Sequence, residues 1–190
     1  MLYQNTKFYL TEIILSKNQK SKFESSLLSL RVAIDYFEDK FPFLSVLADC
    51  YIKELDIQAM RSLLDAHNQL FSNEALIYKK AEILFLLSDW KAMITTYEDM
   101  AIRGYSNLDE LTDRIIEIGG LTNNLQLSVI SLINISKIYP NHIGIKEKII
   151  DISIETKNYA MAIDYFFNIP DEFLIYEDKL TLLGLYMITE

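Results

Sequence analysis

Glycine and proline are scarce in this chain of 190 residues, at five and three. So thin a supply argues against a β-rich fold, whose tight turns draw on both. Cysteine occurs once, at Cys50. No internal disulfide framework is therefore available, and a reducing, cytoplasmic setting is expected. Basic residues are outnumbered, 18 Lys and Arg against 27 Asp and Glu, for a formal net charge of −9. A surface of that sign repels nucleic-acid phosphate, and no basic cluster interleaved with aromatics reverses it, so no nucleic-acid partner is expected. Long apolar runs are missing too. None approaches the roughly 20 residues that a membrane-spanning helix needs, so no membrane partner is expected. The opening stretch, MLYQNTKFYLTEIILSK, has no basic leader and is interrupted by Glu12, unlike a signal peptide.

What the chain does have is apolar residues, 51% of the total, in a recurring pattern. SDWKAMITTYEDM (88–100) and KNYAMAIDYFFNI (157–169) both run from polar residues to an aromatic anchor and then an apolar helical face. Anchors of this kind recur at Phe23, Ile57, Trp90, Leu125 and Tyr159, with spacings of 34, 33, 35 and 34 residues. Four and seven residues beyond them lie Leu27/Leu30, Arg61/Leu64, Ile94/Tyr97, Val129/Leu132 and Ile163/Phe166. Those offsets share one face of an α-helix, and only Arg61 breaks the series. Before each anchor runs another helical stretch, such as EALIYKKAEILFLL. The unit is helix, short polar turn, helix. Ser21 to Glu24 has the form of a capping box, and Ser106 to Asp109 can open a first helix. Gly119-Gly120 is expected to end a first helix early, and Pro140 and Pro170 to stop second helices. The anchors, Trp90 above all, are expected to be largely buried.

Several of these residues resemble the tetratricopeptide repeat family, whose helix–turn–helix unit is 34 residues long. Ser88-Asp89-Trp90 and Lys157-Asn158-Tyr159 are similar to its Gly-Asp-Tyr turn. Ala48, Ala81 and Gly184 fall on its small-residue place and Ala162 on its second, Leu183-Gly184 resembles its Leu-Gly pair, and Tyr139-Pro140-Asn141 its closing Asp-Pro-Asn. Ile14, Ile116 and Ile150 replace the small residue, so those units are expected to be splayed. The resemblance implies an all-α, right-handed α-solenoid of about five units plus a C-terminal helix, about eleven helices in all. The units run 7–40, 41–73, 74–108, 109–142 and 143–176, with a terminal helix at 177–190. No Gly/Ser- or Pro-rich linker separates them, so one continuous array is expected.

Catalytic constellations are missing. One cysteine and two scattered histidines, His67 and His142, cannot supply a usual structural zinc site. His67 reads as a packed core residue and His142 as a solvated turn residue. Cys50 has Lys53 one turn on, but Asp49 and Glu54 oppose thiolate formation, so it reads as buried and inert. No glycine-rich phosphate loop or hydrolase motif occurs. No enzyme activity, metal or cofactor is expected. The Asn134–Ser136 glycosylation match lies on an apolar-periodic helix and reads as coincidence.

What remains is surface. Eight residues before the last four anchors stand Asp49, Glu82, Glu117 and Asp151, four acids in four units. The family places groove-facing residues at this offset. Beside them lie Ser45, Tyr78, Asp113 and Glu147 at one neighbouring offset, and Ile52, Phe85, Gly120 and Ile154 at another, with Lys53 adjoining. The expected partner is a protein or peptide, basic or flanked by Lys and Arg, held in an acidic concave groove. Two other roles stay open: a small chaperone shielding an apolar client segment, and the interaction or sensor part of a larger regulator or enzyme. The last stretch, LTLLGLYMIT (180–189), is apolar nearly all round. A solenoid's terminal helix should show a polar outer face, so Leu182, Leu185 and Tyr186 are expected to form an exposed edge. It would be covered by a twin copy, a partner or the remainder of a longer chain.

Overall fold

The computed structural model describes residues 20–189. Among these, ten α-helices and two short 3₁₀ turns occur and no strand does. The helices are α1 (Lys20–Tyr36), α2 (Phe41–Glu54), α3 (Ile57–His67), α4 (Glu74–Leu86) and α5 (Trp90–Arg103). They continue with α6 (Leu108–Leu121), α7 (Leu125–Ile138), α8 (Ile143–Glu155), α9 (Tyr159–Phe167) and α10 (Tyr176–Thr189). Residues 7–19 of unit 7–40, Ile14 among them, fall outside what is described, and Ser21, expected to cap, lies within α1, which is already helical at Lys20. The chain is all-α. It divides between Asp89 and Trp90 into two compact units, a boundary inside sequence unit 74–108. In the first unit α2 packs on α1, α3 and α4. In the second, each helix from α5 to α10 packs on the next, with α5 also on α7 and α6 also on α8.

The anchors mark the turns. Ile57, Trp90, Leu125 and Tyr159 are each the first residue of a helix. Two residues before each stands a non-glycine residue in the left-handed region: Leu55, Ser88, Asn123 and Lys157, with φ of 52°, 54°, 51° and 59°. The same paired backbone bonds close all four turns. Leu55 N donates to Ile52 O and Asp56 N to Tyr51 O, and the three later turns repeat this as Ser88/Asp89, Asn123/Asn124 and Lys157/Asn158. Each is a Schellman motif, the usual way to satisfy a helix's last carbonyls. After it, Asp56 and Asn158 cap the next helix by accepting from Ala59 N and Met161 N. A left-handed conformation strains a residue with a Cβ but not glycine. Lys157 is exposed, so Lys157→Gly should raise stability by about 0.5–1 kcal/mol. Urea denaturation checks this, and a loss would show that the lysine side chain supports the turn.

Burial follows a different column from the anchors. Trp90 is half-buried and Ile57 is 45% exposed. An anchor stands at the helix end, where one side of it meets solvent. The core stripe begins three residues later, at Met60, Met93, Ser128 and Ala162, all buried. The expected pairs largely follow it: Leu64, Ile94, Val129, Leu132 and Phe166 are buried, and Arg61 is exposed.

The close approach of paired helices shifts as well. Ala48, on the small-residue place in the first unit, is wholly buried. In the second unit Ile116 and Ile150 occupy the equivalent place, yet α6/α7 and α8/α9 pack directly. The small residues there are Gly119 and Ser128 in one pair, Ser153 and Ala162 in the other, and all four are buried. Gly119-Gly120 does not end α6, which runs on to Leu121. A Cβ on Gly119 would overlap the Ser128 hydroxyl, so this glycine admits the neighbouring helix. The cap of α6 is Asn107 rather than Ser106, accepting from Asp109 N and Glu110 N. Pro140 and Pro170 follow the ends of α7 and α9.

Candidate functional site

The ladder acids lie on first helices of both compact units, and each set stands on its own. In the first unit, Tyr78, Glu82 and Phe85 form one exposed stripe of α4, as spacings of four and three require. Asp49 on α2 is half-buried and Lys53 is exposed on its last turn. Lys79 lies between the acids, with Nζ 2.5 Å from Asp49 Oδ1 and 3.4 Å from Glu82 Oε2. The hydrogen bond to Asp49 raises the ammonium's pKa against the opposing effect of burial. Lys79 thus engages both acids of this face, and Lys53 stands exposed nearby on α2.

In the second unit Asp113 and Glu117 are exposed on α6, and Glu147 and Asp151 on α8. Lys148 ties the helices together. Its Nζ is 2.8 Å from Asp113 Oδ1 and 3.6 Å from Asp109 Oδ1, and it donates to Thr112 Oγ1 at 2.7 Å and Asp109 O at 3.1 Å. Arg114 binds Glu117 at 2.9 Å along its own helix. Glu147 and Asp151 have no ion pair among the described residues. Burial, and then Asp178 on α10, push the Asp151 carboxyl above its usual range. This face keeps a surplus of acids.

Lys79, Arg114 and Lys148 form a column that the acids alone did not reveal. Each stands eleven residues before an anchor and three before a ladder acid. Reading every fixed offset for both signs of charge would have found them. They give the acids a structural role as well, since they hold Asp49, Asp113 and Glu117 inside the chain.

The other candidates resolve locally. Burial first, then Asp49 and Glu54 against Lys53, push the Cys50 thiol up to about 11, which disfavours the thiolate form. His67 is half-buried, and burial, with Lys40 adding and Asp35 opposing, lowers its pKa. His142 is half-buried rather than a solvated turn residue. It stands at the start of α8 with Nε2 3.8 Å from Asp109 Oδ1, because the Tyr139–His142 turn folds it against α6. Asn134 donates to Glu98 Oε1 at 3.0 Å, and Ser131 to Glu98 Oε2 at 2.6 Å, so the sequon amide serves an internal network. No cluster of three metal-ligating side chains occurs among the described residues.

A cavity of about 500 Å³ opens between α1, α2 and α3, with Arg31, Asp35, Tyr51, Asp56, Ser62 and His67 in its walls. Arg31 Nε donates to the Tyr51 hydroxyl at 2.8 Å, and the guanidinium lies 5.7 Å from that ring's centre. The repeat columns gave no hint of this cavity.

At the C-terminal end, Leu185 is not part of an exposed edge. It is 4% exposed in a cluster with Ile150, Ala162, Phe166 and Ile169, and Leu182 is partly buried against them. Tyr186 is 37% exposed. Among the described residues no helix is long and apolar enough to cross a membrane.

No protein-family model matches the chain, and no curated protein or solved structure matches it either.

Proposed function

We propose that the chain is a non-catalytic protein-interaction module built of tetratricopeptide-like units, stacked in the right-handed sense that family implies. It works in the cytoplasm and needs no cofactor. Its binding face is the acidic surface of α6 and α8, and its ligand is a basic or Lys/Arg-flanked segment of another protein. One observation carries this reading: among the described residues Glu147 and Asp151 lie exposed with no ion pair, beside Asp113 and Glu117, whose cations are already engaged. An incoming lysine or arginine meets carboxylates with no ion pair among the described residues, and it offsets the Asp178 charge that adds to burial in raising the Asp151 pKa. On the matching face of α2 and α4 both acids are already engaged by Lys79, which makes it the weaker candidate. Tyr78 and Phe85 beside it favour a second reading, shelter for an apolar client segment.

The reading is tested with a fluorescent amphipathic peptide of alternating lysine and leucine, followed by polarisation. Binding should weaken as salt rises, because exposed charges are screened over about 8–10 Å at ordinary ionic strength. Glu147→Lys with Asp151→Lys should weaken binding by about tenfold or more while leaving circular dichroism unchanged. Equal binding by the reversed protein would return these acids to the role of a solvated face. Affinity capture from the source lysate at low and high salt would then identify a natural partner.

A further inference from the structure

Among the described residues, helix α10 packs through only one face. Leu185 and Leu182 point to the core, and the opposite side carries Leu180, Leu183 and Met187, which are 49%, 57% and 75% exposed. Tyr186 and Ile188 flank this strip, and Phe167 extends it by an edge-on contact with Tyr186 at 6.2 Å. These six side chains leave on the order of 700 Å² bare, close to the ~800 Å² that each partner buries in a standard interface. That exceeds what a monomer's largest apolar patch usually amounts to, about 300–600 Å².

The strip's chemistry suits a copy of itself. From Leu180 to Thr189 no residue is charged, and the Thr181 and Thr189 hydroxyls are spent on their own helix, on Glu177 O and Leu185 O. Among the described residues of the strip, the Tyr186 hydroxyl at its flank is the one side-chain polar group left to meet a partner. The strip is also nearly symmetric about its middle. Leu180 and Met187 lie equally far from the Leu183–Gly184 step, and a Cβ on Gly184 would meet nothing within 4 Å. A mid-helix glycine lowers helix stability by about 1 kcal/mol relative to alanine, and here no contact within the chain uses the space. We propose that α10 is a dimerisation helix, with two copies of the chain pairing antiparallel about a twofold axis at Leu183–Gly184. Leu183 of each copy fills the hollow over the other's Gly184, and Leu180 lies against the other's Met187. Antiparallel packing also opposes the helix dipoles and brings Lys179 toward the carbonyl end of the facing helix.

This surface is independent of the acidic face, and salt separates the two. The net charge of −9 on each copy repels the other, so salt should strengthen self-association while it weakens basic-peptide binding. Sedimentation of the whole chain from micromolar to hundreds of micromolar should show a dimer, tighter at high salt. Leu183→Glu should weaken association by about thirtyfold or more with helicity retained, the usual effect of losing a central anchor. Leu183→Cys should cross-link to its twin under mild oxidation, faster than Leu28→Cys, an exposed control on α1; the parent, whose Cys50 is buried, should not cross-link. A monomer at every concentration, a dimer indifferent to Leu183→Glu, or cross-linking no faster at 183 than at 28 would each overturn the proposal.

Discussion

Phe71→Ala should lower stability by about 3–5 kcal/mol, the usual range for deleting a large core aromatic. Phe71 is wholly buried. It sits in the short 3₁₀ turn Leu70–Ser72, which packs on both α3 and α4. A turn cannot close around an empty ring site by rotating, because the helices on either side fix its ends. Much of the cavity should therefore persist. Against a total of ~5–15 kcal/mol for a domain, such a loss is large. Urea denaturation followed by circular dichroism checks it, and a change below about 1 kcal/mol would show that the neighbours refill the space. Trp90→Ala, where the anchor pattern alone puts the larger effect, should lose less, because Trp90 is only half-buried.

That shift from Trp90 to Phe71 shows what a repeat column can and cannot reveal. The turns were legible because each repeats the same local chemistry. A helix must satisfy its last carbonyls, reverse, and begin again, and the polar pair before each anchor serves that sequence of events. Four Schellman turns at one offset are its physical counterpart. Burial was less legible, because it depends on which way the next helix leans. Met60, Met93, Ser128 and Ala162 look unrelated as a column, although all four are buried. Phe71 lies outside the repeat's apolar columns, so no periodicity pointed to it.

The acidic ladder was legible as a column of acids but not as a balance of charge. Lys79 and Lys148 reach acids on the preceding first helix, 30 and 35 residues back in the chain at Asp49 and Asp113. Such pairs depend on how two first helices are staggered, which local sequence does not state. Their effect is to move the strongest negative face into the second unit. The C-terminal edge shows the same limit. An apolar stretch can be recognised in LTLLGLYMIT, but only the contact with Ile150 and Phe166 shows that Leu185 is inside and Leu183 outside.

Gly119→Ala and Gly120→Ala, one residue apart in the same helix, should change stability in opposite directions. On propensity alone both should gain, since alanine in a helix interior is favoured over glycine by about 1 kcal/mol. Gly120 is exposed, and a methyl there would meet nothing within 4 Å. Its substitution should gain about 0.5–1 kcal/mol. At Gly119 the same methyl would overlap Ser128 Oγ, lie 3.1 Å from Ser128 Cβ and press on Asn124 O at 3.4 Å. The serine cannot easily yield, because its hydroxyl donates to Ile115 O at 2.7 Å and it is fully buried between α6 and α7. Separating the two helices would open the core around Ile115 and Leu132, so the clash should exceed the propensity gain. A net loss of about 1–3 kcal/mol is expected, the range for overpacking a tight interior. The double change Gly119→Ala with Ser128→Gly moves the hollow to the other helix and should recover part of that loss. Urea midpoints for the parent, Gly119→Ala, Ser128→Gly and the double change close a double-mutant cycle whose coupling energy isolates the contact. If Gly119→Ala matched Gly120→Ala, the close approach would be absent in solution, and the glycine pair would have no packing role.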